Sequence, residues 1–419
     1  MTTATQTREP NSRVIPAGTD AAGAHQAPLR PVSGLLDITR RGPAFVRTSG
    51  FRTGPDDVSV PASLIRQYGL RSGDQLTGTA RSAPPARNNG RNGQAKTSNQ
   101  AKASNQARTP ALATVDTVNG VPADAAAGRP HFDQLTPVYA DERIRLEAGS
   151  PSDTARIVDL VGPIGKGQRG LIVSPPKAGK TMLLKAIAHA ITTGSPDVHL
   201  MLVLVGERPE EVTDLRRSVD GEVISSTFDR PAEDHIMVAE LAIERAKRLV
   251  EEGRDVVVLL DSITRLARAY NLIAPSSSRI LAGGVATSAL QPPRTFLGAA
   301  RNIEGGGSLT ILSTALIDTG SRMDDVFFEE FKGTGNMELR LRRDLAAKRL
   351  YPAVDVAASG TRRDDLLMTP DEYAAVGQLR RGLSSLEPQQ ALELLLERTR
   401  KTSSNAEFLR QVQVSGARA

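Results

Sequence analysis

Cysteine is absent from this 419-residue sequence, and so is any long apolar run. Without cysteine the chain can form neither disulfides nor metal sites built on thiolates. No segment approaches the ~18 apolar residues that a membrane span requires, and the N-terminal residues lack the apolar core of a signal peptide. We therefore expect a cytoplasmic protein with no membrane partner.

Signatures of two common kinds of catalytic site are missing as well. The five histidines, at positions 25, 131, 189, 199 and 235, lack the spacing of metal ligands, which favours surface or packing roles. No Ser/His/Asp pattern of a nucleophile elbow is present. Neither pattern therefore points to a catalytic site.

Positive charge is concentrated in the N-terminal third of the chain. The net charge is +6, and residues 1–138 carry 16 Lys and Arg against 9 Asp and Glu, whereas the remainder carries 37 against 38. Such a surplus suits a polyanion such as nucleic acid. Scattered basic residues can equally keep a flexible region soluble, and charge alone does not separate these interpretations. The length indicates more than one domain.

An apolar stretch at residues 170–174 ends in a Pro/Gly turn, and Gly179, Lys180 and Thr181 then open a run with helical spacing. A phosphate-binding loop requires this strand–turn–helix context. Backbone N–H groups of the turn cradle phosphate oxygens, the Lys180 ammonium adds positive charge, and the Thr181 hydroxyl can reach Mg²⁺. Ser174 departs from the strict pattern, which has glycine there. The segment predicts nucleotide binding, and an ordinary strand-to-helix turn is the alternative.

Two acidic residues, Glu207 and Asp261, follow apolar strands. Ligands bind beyond the carboxyl ends of parallel strands. Asp261 is therefore placed to hold Mg²⁺, and Glu207 to polarise the water that attacks the γ-phosphate. A purely structural role remains open for Asp261. Pairing with Arg208 or Arg265 remains open for Glu207.

Strands and helices alternate from residue 139 onward, which predicts a parallel sheet with helices on both faces. A helix is expected at 232–252, and mostly helical structure at 365–411. Two glycine-bearing segments, at 276–285 and 318–325, each carry one arginine. Mobile loops of this kind suit transient contacts to a sugar–phosphate backbone, and an ordinary loop is the alternative for each.

A small β-barrel of oligonucleotide-binding (OB) type is predicted upstream. Short strands are expected at 34–38, 44–47, 58–60, 75–80 and 111–115, with a helix at 62–68 that Gly69 ends. Residues 1–32 and 83–109 have compositions that cannot form a core, and we expect both to be disordered. The second segment contains five basic residues and no acid. It is either an inert solvated loop or a basic arm that contacts RNA.

Together these segments closely resemble the family of bacterial Rho transcription termination factors, which are RNA-dependent hexameric ATPases. The matching motifs are Ser-Pro-Pro-Lys-Ala-Gly-Lys-Thr at 174–181, Gly-Glu-Arg-Pro-Glu-Glu-Val-Thr at 206–213, Asp-Ser-Ile-Thr-Arg-Leu-Ala-Arg-Ala-Tyr-Asn at 261–271, Phe-Leu-Gly-Ala-Ala-Arg-Asn-Ile-Glu at 296–304, Glu-Glu-Phe-Lys-Gly-Thr-Gly-Asn-Met-Glu-Leu at 329–339 and Ser-Gly-Thr-Arg at 359–362. The resemblance is near-continuous over 139–411, and it explains Ser174, because family members have a small residue there.

The resemblance implies an α/β fold: a RecA-like P-loop ATPase domain with a parallel sheet, preceded by a small OB-type, cold-shock-like β-barrel and disordered segments. The expected domains are a tail over 1–32, a barrel domain over 33–138 with the basic insert at 83–109, and an ATPase domain over 139–419.

The same resemblance implies that ATP and Mg²⁺ bind at the loop that carries Lys180. The residues implied to contact ATP are Lys177, Ala178, Gly179, Lys180, Thr181, Met182 and Tyr351, of which Tyr351 stacks on adenine. Thr181 and Asp261 are the implied Mg²⁺ ligands. The implied catalytic residues are Glu207, which activates water, Lys180, Arg208 and Arg362. Arg362 resembles an arginine finger, which a neighbouring subunit supplies.

For RNA, the resemblance implies contacts at the barrel and at two loops of a central channel. The implied RNA-contacting residues are Phe45, Arg47, Arg279, Ile280, Gly283, Ser321 and Arg322. Family members usually carry lysine at the place of Arg322, so the charge is kept while the geometry differs. The family also stacks pyrimidines on aromatic residues where this barrel has Pro43 and Ser59. Because each stack is worth roughly 1–3 kcal/mol, we expect weakened pyrimidine selectivity.

These observations favour an ATP-dependent RNA translocase that terminates transcription. Its expected partners are single-stranded RNA, the RNA polymerase elongation complex and five further copies in a homohexamer. One alternative is an RNA-binding or RNA-chaperone ring with weak or incidental ATPase activity, which the altered barrel and the basic insert suggest. Another is a subunit related to rotary ATP synthases, against which the barrel and the two loops argue.

Overall fold

Two β-sheet systems organise the chain, in a computed structural model that describes residues 1, 29–40, 42–82 and 109–416. The predictions of disorder over 1–32 and 83–109 fall mainly outside these described residues. One correction concerns the end of the tail, because residues 29–32 belong to a strand. Leu29 and Pro31 pair with Arg81 and Thr79 of a neighbouring strand, so strand pairing extends beyond the apolar stretch from which the strand was predicted.

Over its described residues, the barrel contains six strands and two short helices. These elements are β1 (Leu29–Ile38), β2 (Ala44–Arg47), β3 (Val58–Val60), α1 (Ala62–Tyr68), β4 (Gln75–Arg81), β5 (Ala111–Val118), β6 (Val121–Pro122) and α2 (Ala123–Ala126). The strand order is β3-β2-β1-β4-β5-β6, and an additional β3–β5 pairing closes the barrel. Gly69 ends α1 with φ 57°, as predicted. The predicted OB-type barrel is therefore confirmed.

The larger domain is built on a mostly parallel sheet. Its elements in chain order are β7 (Pro137–Val138), β8 (Arg143–Ile144), α3 (Leu146–Gly149), α4 (Asp153–Val161), β9 (Ile164–Gly165), β10 (Arg169–Ser174), α5 (Lys180–Gly194), β11 (His199–Glu207), α6 (Pro209–Ser218), β12 (Glu222–Thr227), α7 (Ala232–Glu251), β13 (Asp255–Asp261), α8 (Ile263–Leu272), α9 (Thr287–Gly298), β14 (Arg301–Ile303), β15 (Ser308–Leu316), α10 (Arg322–Lys332), β16 (Met337–Arg340), α11 (Arg343–Ala347), β17 (Gly360–Thr361), α12 (Pro370–Ser384), α13 (Pro388–Arg400) and α14 (Asn405–Gly416).

The sheet runs in the order β12-β11-β13-β15-β10-β16-β17, with parallel pairings except at the β17 edge and where β14 joins β15. Successive residues of β11 enter two different cores. Leu200, Leu202 and Leu204 pack into the core on one face, and the residues between them pack into the core on the other. A strand buried on both faces has no polar side, which is why β11 is a continuous apolar run.

The boundary between the domains lies slightly earlier than residue 139. β7 pairs with β14, which itself pairs with β15 of the large sheet, so residues 137 and 138 belong to the larger domain. Of the helices in the described part of the chain, none has both the length and the apolar character that a membrane span needs.

The barrel docks against α7 through polar side chains. Arg71 of the barrel donates to the Glu251 carboxylate at 2.9 Å, and Arg245 donates to Asn119 at 2.8 Å. At Gly73 the two backbones approach so closely that a Cβ would lie 2.4 Å from the Arg245 nitrogen. The Glu251 side chain is only 1% exposed and also accepts from the Phe132 N–H. These contacts hold the barrel in a defined place on the larger domain.

Candidate functional site

The loop between β10 and α5 has the geometry of a phosphate cradle. It begins beyond Ser174 at the carboxyl end of β10, and α5 starts at Lys180. Gly179 has φ 89°, a conformation that L-residues rarely adopt. A Cβ there would also lie 3.0 Å from the Tyr351 ring. The turn therefore requires glycine both for its backbone and for its packing.

Lys180 lies between the two predicted carboxylates. Its Nζ is 2.9 Å from Glu207 Oε1 and 2.5 Å from Asp261 Oδ1. The Glu207 and Asp261 side chains are 5% and 1% exposed. The carboxyl ends of β11 and β13 and the start of α5 thus bring together the three charged groups that the sequence places far apart.

The charged groups of this cluster shift one another's pKa values. Burial alone would lower the pKa of the Lys180 ammonium, but Asp261 and Glu207 outweigh that effect and raise it above its ordinary value. Burial raises the pKa of the Asp261 carboxyl, and the negative charge of Glu207 adds to the rise. A nucleotide that engages Lys180 must therefore compete with two carboxylates.

The sequence left open that Glu207 is only a charge partner of Arg208 or Arg265. Arg265 Nε lies 3.6 Å from Glu207 Oε1, beyond hydrogen-bond distance. The Arg208 side chain is 67% exposed and lies 4.0 Å from Glu211 instead. Of the two arginines considered from the sequence, Arg265 is thus the one near Glu207. The nearer partner of Glu207 is Lys180.

The other predicted nucleotide contacts surround the same loop. Tyr351 is half-buried, and its hydroxyl donates to the Ala346 carbonyl at 3.4 Å. Lys177 is exposed with φ 65°, and Met182 is 58% exposed. Ala178 is buried under the loop. An open face with one aromatic ring beside it is suited to a nucleotide.

Arg362 lies away from the loop in the same chain. It directly follows β17, where Thr361 pairs with Met337, and Met337 pairs with Gly170 at the start of β10. Gly170 precedes Ser174 by about 13 Å of extended strand. Arg362 is exposed and sits toward the opposite edge of the sheet from Lys180. The register thus separates Arg362 from the loop of its own chain.

The two loops predicted to contact RNA lie against each other. A Cβ on Gly283 would meet the Arg322 carbonyl oxygen at 2.8 Å, and Gly283 has φ 73°. Arg279 and Arg322 are exposed, and Ile280 is 61% exposed. Ser321 is half-buried and immediately precedes α10. The fold therefore gathers the predicted cations and the exposed apolar residue into one surface.

Residues not singled out from the sequence support these loops. Asn271, on α8, donates to the Gly284 carbonyl at 3.2 Å and accepts from the Ala286 N–H at 2.7 Å. Asp324, fully buried, accepts from Arg268 at 2.8 Å. The motif at 261–271 contains Asn271 and Arg268, but no local pattern indicates which distant groups they contact.

At the barrel, Phe45 and Arg47 lie side by side. The half-buried Phe45 ring has the Arg47 guanidinium 5.0 Å from its centroid. Arg47 itself is buried and donates to Asp37 at 2.9 Å and to Asp57 at 2.7 Å. Ser59 is the residue opposite Phe45 on β3, and its hydroxyl donates to the Pro110 carbonyl at 3.0 Å. Phe45 therefore has a serine opposite it on the neighbouring strand rather than a second aromatic ring.

Two family models match the chain. The model of the ATP synthase alpha/beta family, nucleotide-binding domain, covers residues 154–361, and that of the Rho termination factor, RNA-binding domain, covers residues 32–124. Two bacterial type III secretion system ATPases share the fold, at 22% and 24% identity. Their TM-scores are 0.57 and 0.51, over 67% and 64% of this chain and 87% and 62% of theirs. The nucleotide-binding match includes the Lys180 cluster, and the RNA-binding match includes Phe45.

Curated relatives match most of the chain. The transcription termination factor Rho of Streptomyces lividans is 61% identical over 92% of this chain and 52% of its own length. That of Mycobacterium tuberculosis is 57% identical over 92% and 61%. That of Streptosporangium roseum is 58% identical over 92% of both chains. This chain spans about half the length of the Streptomyces relative, whereas it matches the Streptosporangium relative almost from end to end.

Proposed function

This chain belongs to the family of Rho transcription termination factors, and we propose that it hydrolyses ATP to pull on single-stranded RNA and release transcripts from RNA polymerase. The observation that carries the proposal is the Lys180 cluster, with its two buried carboxylates at the carboxyl edge of the sheet. We place the working form in the cytoplasm as a homohexamer. The position of Arg362 supports assembly, since an arginine far from its own loop is available to the loop of a neighbour.

In the proposed mechanism, Lys180 leaves the carboxylates to hold the terminal phosphates. Glu207 is then free to accept hydrogen bonds from the attacking water and orient it toward the γ-phosphate. Arg362 of one subunit stabilises the charge on the transferring phosphoryl group in the next. Arg208, exposed at the start of α6, contributes to the coupling between subunits.

The residues present fit a magnesium ion. No group of three or more His, Cys, Asp or Glu side chains in the described residues forms a metal cage. Mg²⁺ does not require one, because it keeps several waters and binds through one or two protein oxygens plus substrate phosphates. The Thr181 hydroxyl and the Asp261 carboxylate supply such oxygens beside the loop. When bound, the ion would neutralise charge on the phosphates.

The RNA path is proposed to run over the barrel and the two loops. Phe45 offers a ring for stacking, and the Arg47 guanidinium, 5.0 Å from the ring centroid, keeps positive charge beside it. Arg279 and Arg322 would contact phosphates, with Ile280, Gly283 and Ser321 shaping the loop surface. At the stacking positions, this barrel keeps the aromatic ring of Phe45 and has Pro43 and Ser59 in place of two others. This difference favours a second candidate function, a ring-shaped RNA-binding assembly with slow ATP turnover.

The deciding experiment is steady-state ATP hydrolysis with and without single-stranded RNA, comparing cytidine-rich with mixed sequence. We expect strong stimulation by both RNAs, and loss of roughly 10³-fold or more in rate for Arg362→Ala, the magnitude typical of arginine fingers. Arg362 is exposed, so its removal leaves no buried partner uncompensated. Retained activity in that variant would refute its assigned role. RNA binding without stimulated hydrolysis or duplex unwinding would favour the second candidate.

A further inference from the structure

Thr181 has a hydrogen-bond partner on another helix. Its hydroxyl donates to the Glu211 carboxylate at 3.4 Å. Thr181 is the second residue of α5 and lies in its first turn, beside the phosphate loop. Glu211 lies in the first turn of α6. The hydroxyl that is proposed to bind Mg²⁺ is therefore directed by a carboxylate that no motif assigns to the site.

We propose that Glu211 is a positioning residue of the Mg²⁺–nucleotide site, an inference that rests on the proposed ATPase function. A hydroxyl has one proton and two lone pairs. When the Thr181 hydroxyl donates its hydrogen bond to Glu211, its lone pairs stay available for the cation. Glu211 would thus act on the cation through Thr181, as partners of metal ligands commonly do.

The fold fixes Glu211 in this place. β11 ends at Glu207, and α6 begins two residues later at Pro209, so the helix starts at the same sheet edge as the phosphate loop. Val212 and Leu215 are buried and set the rotation of α6. The helix N-terminus also favours an acidic side chain in its first turn.

A second polar pair aligns the two helices one turn further along. Lys185 on α5 pairs with Asp214 on α6. The Thr181–Glu211 contact is thus one of two side-chain polar pairs between α5 and α6 in the described residues, and it adds to the apolar packing of Val212 and Leu215. This arrangement keeps the Glu211 carboxylate near Thr181.

The neighbouring residue, Glu210, is a matched control for Glu211. Glu210 has the same charge and lies in the same helical turn, but it is exposed, whereas the Glu211 side chain is 31% exposed. Consecutive helical residues do not share a face. Removing the charge of Glu210 therefore changes the local net charge as much as removing that of Glu211, without touching Thr181.

The test measures binding of a fluorescent ADP analogue to the full chain while Mg²⁺ is titrated. Outer partners of metal ligands are worth about 10–100-fold in metal affinity. We expect Glu211→Gln and Glu211→Ala to raise the Mg²⁺ concentration for half-maximal binding by about that factor, with Ala at least as severe as Gln. We expect Glu210→Gln to match the wild type. Affinity in EDTA should be equal in all four proteins.

Two results would overturn the inference. One is a Glu211 variant whose Mg²⁺ dependence equals that of Glu210→Gln. The other comes from a double-mutant cycle with Thr181→Ala. If Glu211 acts through Thr181, Glu211→Ala should shift the Mg²⁺ dependence much less in the Thr181→Ala background than in the wild type. Fully additive shifts therefore contradict the proposal.

The outcomes also separate this inference from the proposed function. Tight, Mg²⁺-dependent binding by the wild type with unaffected Glu211 variants would remove the inference and leave the ATPase proposal standing. Wild-type binding without any Mg²⁺ dependence would remove both. Thermal unfolding of the Glu211 and Glu210 variants measures stability separately. A Glu211 variant that loses stability but keeps the wild-type Mg²⁺ dependence would show that Glu211 is structural, which would overturn the inference.

Discussion

Replacing Glu207 with glutamine separates nucleotide binding from hydrolysis. Glutamine has nearly the same shape as glutamate and keeps an oxygen that can accept from Lys180, which lies 2.9 Å from Glu207. It cannot take a proton or polarise water as a carboxylate does. The site is buried, with the Glu207 side chain 5% exposed, so solvent does not replace the lost group. The substitution should therefore spare binding and slow the chemical step.

The expected loss follows from the role of a positioned base. Such groups contribute typically 10²–10⁴-fold to the rate. At about 1.36 kcal/mol per factor of ten, this corresponds to an increase in activation free energy of roughly 2.7–5.4 kcal/mol. Binding of ATP should change by only a few-fold, because the phosphates interact with Lys180 and the loop N–H groups, which the substitution leaves in place.

The assay is ATP hydrolysis at saturating RNA, paired with equilibrium binding of a fluorescent nucleotide. Glu210→Gln is the control, since it removes an equal charge from the exposed side of α6. If Glu207→Gln hydrolyses ATP at a rate near that of the control, then Glu207 does not activate water. Its function would then be to balance the charges of Lys180 and Arg265.

Two further predictions concern the rest of the chain. Glu251→Gln should lower the free energy of unfolding by about 3–5 kcal/mol in urea denaturation, because it leaves the buried Arg248 and the half-buried Arg71 without the carboxylate that both pair with. Arg40→Gln, which removes the exposed arginine of another ion pair, should cost less than about 1 kcal/mol. Equal losses would contradict the reasoning. Burial lowers the pKa of His235 below its ordinary 6.5, so below that pH the unfolded chain binds the proton more readily and stability falls. Between about pH 7 and about pH 5, the wild type should therefore lose more stability than His235→Gln, and parallel losses would exclude a contribution from His235.

Local sequence patterns predict most of the elements that carry the site. The apolar run of β11, the acid at the end of β13 and the loop before α5 were all readable, because each depends on residues close together in the chain. The rule that ligands bind at the carboxyl edge of a parallel sheet then predicted that Lys180, Glu207 and Asp261 lie together. Gly69 ends α1 for an equally local reason, its left-handed backbone.

Contacts between distant residues were not predictable in the same way. Thr314 donates to Asp261 at 2.6 Å from the neighbouring strand β15, and nothing around Thr314 distinguishes it from other buried strand residues. The buried ion pairs of Arg47 with Asp37 and Asp57 depend on strand register and loop position, which the sequence around Arg47 does not indicate. Glu251 is the last residue of α7, and its burial depends on the barrel that packs on it. Such pairings follow from the assembled fold, which periodicity does not encode.

The charge balance around Lys180 affects how variants of the site should be interpreted. The Lys180 ammonium pairs with two carboxylates that are almost entirely buried. Removing one partner of a buried ion pair leaves an uncompensated charge and is strongly destabilising. Lys180→Ala would thus leave the Asp261 carboxylate without its cation and Glu207 with only Arg265, whose Nε lies 3.6 Å away. A loss of ATPase activity in that variant would then combine local rearrangement with lost phosphate contact. Arg362 and Glu211 do not have this double role, because both are at least partly exposed and neither compensates a buried charge.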